Sequence, residues 1–344
     1  MKIEGRWRRT IEERDGSIVV LDQTQLPYQI AWHRISTLDD ACVAIRDMIV
    51  RGAPLIGATA AWGVALAIGQ DIDIDRACAK LATTRPTAIN LAWALGEMRR
   101  GLDAYEGPDR RAAARSLASK ICDDDVATCR AIGAHGAALL RDLHTRTGKP
   151  VRVLTHCNAG WLATVDWGTA LAPIYRAFED GIPLHVWVDE TRPRNQGLLT
   201  AFELEQHGVP YTVIADNAGG HYLQRGEVDL CIVGTDRTTR TGDVCNKIGT
   251  YLKALAAHDN GVPFYVAAPS SSIDWKLDRG ADIPIEERSA DEVRRIRGVE
   301  IMLPDTPVAN PAFDVTPARL VTALITERGI CAPGELPTLF PERG

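Results

Sequence analysis

Between residues 38 and 143 apolar side chains recur at three- and four-residue spacing, the signature of helices with one buried face. Leu38, Ala41, Cys42, Ile45, Met48 and Ile49 follow the cap candidates Ser36 and Thr37, and this helix should end near Arg51-Gly52. Pro54 then falls in the first turn of a second helix running to about Ile68, where the missing proline N–H costs nothing. Thr84-Arg85-Pro86-Thr87 precedes another helical set, Ile89, Leu91, Trp93, Ala94 and Leu95, and further helix fills 110–143. Stretches 17–21 and 29–33 predict short edge strands ahead of these helices. Gly148-Lys149-Pro150 interrupts the pattern and marks the expected boundary between a mainly helical domain (1–148) and an α/β catalytic domain (149–344).

Beyond residue 150 the pattern becomes short apolar runs alternating with helical stretches. Runs 151–155, 184–188, 211–215, 228–234 and 264–268 predict strands; 168–180, 197–207, 221–225 and 244–259 predict helices, with a closing helix at 316–327. Two-sided apolar strands alternating with helices predict a parallel sheet covered on both faces. There are too few units for an eight-stranded barrel, so the expected fold is α/β, with an open, doubly wound, Rossmann-like sheet behind the helical domain.

The 344 residues suffice for two packed units, and a hydrophobic fraction of 45% with 24% charged residues is that of a globular chain. The longest apolar run, 58–68, is far short of the roughly 20 residues of a membrane span, and the charged N-terminus has no signal-peptide pattern, so no membrane association and a cytoplasmic location are expected. A net charge of −6 gives no reason to expect a nucleic-acid partner. The eight cysteines are scattered without a Cys-x-x-Cys pair, and the histidines form no ligand motif, so neither a disulfide framework nor a metal or other cofactor is expected.

In an open parallel sheet, ligands bind beyond the carboxyl ends of the strands. Those ends read Thr155-His156-Cys157-Asn158-Ala159-Gly160, Asp189-Glu190-Thr191-Arg192-Pro193, Asp216-Asn217 and Gly234-Thr235-Asp236-Arg237. Cys157 is either an inert buried cysteine or, beside a tight turn, a thiol whose pKa is depressed toward thiolate. Cys231 lies within a strand and Cys245 on the expected helix, which demotes both. His156 is expected to orient its neighbours by hydrogen bonding. Asp236 is either a cap or partner of Arg237, or a carboxyl that keeps its proton at a pocket mouth and acts as general acid. Asp189 and Glu190 are expected to pair with Arg192 and Arg194. Arg51-Gly52-Ala53-Pro54 and Arg85-Pro86 each put a guanidinium before a helix start. With Asn246-Lys247 they make an anion clamp between the domains, and no nucleotide-binding glycine motif claims it.

Together with Arg85-Pro86-Thr87-Ala88-Ile89-Asn90-Leu91, Gly242-Asp243-Val244-Cys245-Asn246-Lys247-Ile248-Gly249-Thr250 and Pro263-Phe264-Tyr265-Val266-Ala267, these motifs make nearly the whole chain resemble the methylthioribose-1-phosphate isomerase family, relatives of the regulatory subunits of translation initiation factor 2B. The resemblance implies a helical domain on a Rossmann-like domain, a homodimer, and a sugar phosphate substrate. It implies the aldose-to-ketose conversion of 5-methylthioribose 1-phosphate to 5-methylthioribulose 1-phosphate in methionine salvage. By it, Cys157 and Asp236 match the catalytic pair, and Arg51, Gly52, Ala53, Arg85, Gln196, Asn246 and Lys247 match substrate-binding positions. Two stretches depart from the family pattern: Gln196-Gly197-Leu198-Leu199-Thr200, one residue shorter, and Thr238-Thr239-Arg240-Thr241. The competing readings are an isomerase of 5-deoxyribose 1-phosphate or ribose 1,5-bisphosphate, and a non-enzymatic regulatory subunit.

Overall fold

The computed structural model describes residues 1–343. A hairpin of β1 (Lys2–Ile3) and β2 (Arg6–Trp7) leads into an antiparallel sheet of β3 (Ile11–Arg14), β4 (Ser17–Leu21) and β5 (Trp32–Ile35). Helices α1 (Leu38–Arg46), α2 (Ala53–Gly69), α3 (Ile74–Ala82), α4 (Ile89–Leu102) and α5 (Gly107–Thr147) follow. Thr37 caps α1 through a reciprocal capping box with Asp40. The helix ends at Arg46, earlier than the apolar spacing suggests, which leaves Met48 off the helix with φ +60°. Helix α2 has only Pro54 and Gly69 outside the buried class, the composition of a helix packed on all sides. The other helices of this unit and strands β3 and β4 pack round it.

The second unit contains β6 (Val151–Thr155), α6 (Ala172–Glu179), β7 (Leu184–Asp189), α7 (Gly197–His207), β8 (Tyr211–Ile214), α8 (Ala218–Gln224) and β9 (Leu230–Val233). Next come β10 (Arg237–Thr239), β11 (Val244–Lys247), α9 (Thr250–Asp259), β12 (Phe264–Ala267) and β13 (Ile273–Asp274). An outlying segment holds α10 (Asp291–Arg294) and the hairpin of β14 (Arg295–Ile296) and β15 (Val299–Glu300). The chain closes with β16 (Phe313–Thr316), β17 (Ala323–Thr326), β18 (Gly329–Cys331) and α11 (Leu336–Leu339).

The main sheet has the order β18-β17-β12-β9-β6-β7-β8, parallel except for the edge strand β18. Its first strand in sequence, β6, lies between β7 and β9, so the chain winds outward in one direction and then in the other. This is the doubly wound order with its switch point between β6 and β9. Alternate residues face opposite cores: Leu230 and Ile232 of β9 pack toward α5, α6 and α7, and Cys231 and Val233 toward α8 and α9. A smaller sheet, β13-β10-β11-β16, stands beside the carboxyl ends.

One expected helix is shortened and another is absent. Residues 244–259 divide into β11 and α9 at Gly249, whose φ of +102° no helix interior accommodates. Residues 316–327 form the end of β16, a short turn at Ala318–Leu320 and β17. Pro317 stops helix propagation there, and a four-residue buried run such as Ala-Leu-Ile-Thr has no periodicity that separates strand from helix. Stretch 168–180 becomes helical only from Ala172, the second expected edge strand lies at Trp32–Ile35 rather than 29–33, and the first, 17–21, is β4, the middle strand of its sheet.

Helix α5 belongs to both cores: Ala114, Ala118, Ile121, Cys122 and Val126 enter the helical core, and Ile132, Ala137 and Leu140 the sheet core. At some 1.5 Å per residue it spans roughly 60 Å and ties the two halves together. Gly133 and Gly136 let α6 approach; a Cβ on Gly136 would lie 2.4 Å from Cγ of Pro173. Gly136→Ala gains about 1 kcal/mol of helix propensity. Overpacking against a rigid proline costs about 1 to 3 kcal/mol, and the steric term should win. Urea unfolding is expected to show a lower midpoint for the variant; a midpoint at or above that of the parent would show that the α5–α6 contact yields easily.

Candidate active site

The switch point places the ends of β6 and β9 side by side. Cys157 follows β6 and Asp236 follows β9, and both line a cavity between the sheet and the N-terminus of α2. Arg51, Gly52, Ala53, Arg85, Gln196, Asn246 and Lys247 line the same cavity, so the nine residues singled out in the sequence converge on one place. They arrive from five directions: the entry to α2, the entry to α4, the end of β6, the loop before α7, and the β9-to-β11 region.

Backbone constraint sets the thiol. Cys157 has φ +67°, a left-handed conformation that costs an ordinary side chain roughly 1 to 2 kcal/mol. Its N–H donates to Thr191 Oγ1 at 2.9 Å, and its carbonyl accepts from Thr200 Oγ1 at 2.8 Å. Thr191 is fixed in turn, its N–H donating to the Asp216 carboxylate at 2.7 Å. On the facing wall, Gly52 has φ +92°, and a Cβ there would fall 2.4 Å from the Ala163 backbone. Only glycine lets the start of α2 come this close to the loop after Cys157.

The cations are unusual in their partners. Arg51 donates to Oδ1 and O of Asn158, at 2.5 and 2.7 Å, rather than to a carboxylate. Lys247 Nζ donates to the Ala312 carbonyl at 2.9 Å and lies 4.8 Å from the ring centre of Phe313. Neither forms an ion pair among the described residues, and Arg85 has a single loose one, 3.5 Å from Glu286. Burial pushes all three below their usual pKa, opposed at Arg51 and Lys247 by the fields of Cys157 and Asp236 and at Arg85 mainly by Glu286. The buried Gln196 Oε1 has no hydrogen-bond partner. Such a cavity has positive charge and polar atoms to spare for an anionic guest.

Asp236 makes no ion pair with Arg237, which bonds to Asp274 instead. Burial pushes its carboxyl above the ordinary range, and Lys247, Arg85 and Arg51 pull it back only in part. Cys157 departs from the depressed pKa that its position suggests. Burial raises the thiol, and Arg51 and Lys247 oppose that rise without overcoming it. Both residues keep some accessible surface because they open onto the cavity, yet neither is hydrated as it would be outside.

Asp189 and Glu190 do not form the arginine cluster expected of them. Asp189 is fully buried, 2.9 Å from His156 Nδ1 and 3.2 Å from Lys253 Nζ. Arg194 pairs with Glu292, and Arg192 donates to the backbone of Pro193 and Val293. His156 also donates through Nε2 to the Ile248 carbonyl, at 2.8 Å, so it does orient the loops around the thiol. Atoms of His156, Asp189 and Asp216 approach one another closely enough to suggest metal ligands. The ammonium of Lys253 already serves as the cation there, donating to the Asp216 carbonyl as well. Cys245 lies in β11 rather than on a helix, and is buried.

Sequence reasoning missed Arg194 and Arg288 on the cavity wall, and the apolar set Met48, Ile283 and Phe313 beside them. Arg194 directly follows the Asp189-to-Pro193 motif, where an ion-pair role is expected of it. Met48 was assigned to a helix face, and Ile283 and Arg288 lie where no periodic signal draws attention.

Residues 49–333 match the model of the Initiation factor 2 subunit family. A relative named methylthioribose-1-phosphate isomerase from Methylorubrum populi is 62% identical, with 100% of this chain and 99% of that protein aligned. Among solved structures, 5-methylthioribose 1-phosphate isomerase from Pyrococcus horikoshii OT3 superposes with a TM-score of 0.87 at 40% identity, covering 98% of this chain and 97% of that one. Translation initiation factor eIF-2B, subunit delta, from A. fulgidus gives 0.82 at 38% identity, covering 97% of this chain and 100% of that one. The chain belongs to the initiation factor 2 subunit family, and its full-length likeness sets it beside the relatives named methylthioribose-1-phosphate isomerase.

Proposed function

We propose that this protein isomerises 5-methylthioribose 1-phosphate to 5-methylthioribulose 1-phosphate, the activity named for its relatives, and so serves methionine salvage. The observation that carries the reading is a cavity holding three buried, under-partnered cations beside a carboxyl and a thiol that burial pushes toward their protonated forms. Arg51, Arg85 and Lys247 are the phosphate clamp, with the N–H groups of Gly52 and Ala53 at the start of α2 adding donors. Gln196 and Asn246 orient the sugar. Met48, Ile56, Ile283 and Phe313 suit an uncharged substituent at C5 better than a second phosphate.

The phosphate on C1 removes the free aldehyde that ordinary aldose isomerases use, so the ring must open first. Asp236 gives its proton to the ring oxygen as the C1–O bond breaks, leaving electron deficiency at C1. A hydride then moves from C2 to C1, and the C2 hydroxyl becomes the ketone as its proton passes to the ionised Asp236. The alternative, removal of the C2 proton by Cys157, requires a thiolate, which burial disfavours. Cys157 is read instead as a neutral, polarisable group beside the reacting carbons. Exclusion of water protects the open-chain species.

The likeness to translation initiation factor eIF-2B, subunit delta, from A. fulgidus supports a second reading, a non-catalytic translation-factor subunit. Assays with the purified chain separate these: turnover of methylthioribose 1-phosphate, exceeding that of 5-deoxyribose 1-phosphate and of ribose 1,5-bisphosphate, is expected, and no turnover of any would leave the subunit reading. A homodimeric state and a cytoplasmic location rest on the family resemblance.

Three variants test the assignments. Cys157→Ser should lower kcat by at least about a hundredfold while thermal unfolding stays unchanged, and parental turnover would remove the sulfur from the mechanism. Arg85→Ala should weaken inorganic phosphate by about 2 to 3 kcal/mol in calorimetry, the scale of a lost charged hydrogen bond, whereas equal affinity would put the anion elsewhere. Because its pKa is raised, Asp236 holds its proton to higher pH than a free aspartate and loses it as pH rises further. Activity should therefore fall along an alkaline limb. Asp236→Asn should bind substrate but not turn it over; normal turnover with the limb intact would assign the acid elsewhere.

A further inference from the structure

Glu203 of α7 is fully buried and does not line the cavity. Its carboxylate nevertheless holds the loop that follows Cys157. Oε1 accepts from Asn158 Nδ2 at 2.8 Å and from the Leu162 N–H at 3.0 Å. Oε2 accepts from the Trp161 N–H at 2.8 Å and from the Tyr175 hydroxyl at 2.7 Å. Gly160 permits the loop to wrap so tightly, since a Cβ there would lie 1.8 Å from Oε2. Burial pushes this carboxyl up, and the four donors oppose that rise by stabilising the ionised form without overcoming it.

The consequence reaches the cavity through Asn158. Its Nδ2 is committed to Glu203 and, at 3.2 Å, to Thr200 Oγ1. The amide therefore has one orientation open to it, with Oδ1 toward Arg51, where it accepts from Nη1 at 2.5 Å while the Asn158 carbonyl accepts from Nη2 at 2.7 Å. A flipped amide would set an NH2 group against a guanidinium and leave Glu203 short of a donor. An intervening amide also differs from a direct Arg–Glu pair. The guanidinium is aimed by a carboxyl group that does not touch it, so its charge stays available to a guest in the cavity.

We infer that Glu203 is a positioning residue which, acting through Asn158, aims the Arg51 guanidinium into the cavity beside Cys157. This rests on the functional reading only for the use made of Arg51, and the test needs no substrate. Arg51 is the strongest of the groups that favour the Cys157 thiolate, ahead of Lys247, with Asp236 acting the other way and the Asn158 N–H assisting. Anything that lets Arg51 swing away should raise the pH at which the thiol becomes reactive.

The measurement is the pH profile of Cys157 alkylation by iodoacetamide in the folded protein, with the modified residue identified by mass spectrometry. The other seven cysteines are buried, so Cys157 is the one open to the reagent. Glu203→Gln replaces an acceptor of four hydrogen bonds by an amide whose NH2 must oppose donors. Its alkylation midpoint should rise by about one pH unit, the low end of what loss of a nearby opposite charge produces. Arg51→Ala should give a similar rise, and adding Glu203→Gln to it should shift the midpoint no further. A folded Glu203→Gln protein with the parental profile would overturn the inference, as would a further shift in the double variant. Where Glu203→Gln does not fold, Asn158→Ala cuts the same link: a raised midpoint supports the inference and a parental one overturns it.

Discussion

Taking a charged side chain out of water without a close opposite charge is among the costlier things a protein does, and here three cations share one cavity with no ion pair or a single loose one. Arg51 has an asparagine for a partner, Lys247 a backbone carbonyl and an aromatic face, and Arg85 a glutamate at the edge of ion-pair range. The same loss of water that burdens these cations pushes the acid and the thiol toward their neutral forms. One constraint thus favours both an anion site and, a few side chains away, a carboxyl that holds its proton to higher pH. In water an aspartate so close to arginines and a lysine would be ionised, and the proposed first step would have no proton to give.

The fold supplies the conditions for this arrangement. The switch point brings Cys157 and Asp236 to neighbouring strand ends, and the buried helix α2 lays its N-terminus across them. α5 packs into both cores and keeps the two walls of the cavity in register. Around the thiol, the carboxylates of Asp189, Asp216 and Glu203 are occupied in holding loops rather than in neutralising the cavity. Their charges face other donors, which is why the cations at the centre remain under-partnered.

Much of this was legible in the chain. Buried parallel strands read as short continuous apolar runs, and the doubly wound expectation directed attention to the residues just after them, where Cys157 and Asp236 lie. Proline and glycine punctuation located the start of α2 and, with it, Arg51. The sequence pattern failed where a short buried run carries no period, at 244–247 and 323–326, both of which are strands. It also failed for partners. The His156–Asp189, Asn158–Glu203 and Arg194–Glu292 contacts join residues 33, 45 and 98 positions apart, and no local spacing announces them. The pKa of Cys157 could not be read from position either. A strand end beside a tight turn suggests an activated thiolate, but the balance of burial against two cations depends on how deep the loop sits.

In the proposed reaction burial keeps Cys157 protonated, and hydrogen passes from C2 to C1 of the sugar without visiting a thiolate base. Running the isomerisation in deuterium oxide, with NMR of the product's C1 position, tests this directly. The hydrogen delivered to C1 should be the one that left C2, with no solvent deuterium at C1; deuterium incorporated there during turnover would rule out the direct shift and make the thiol a base.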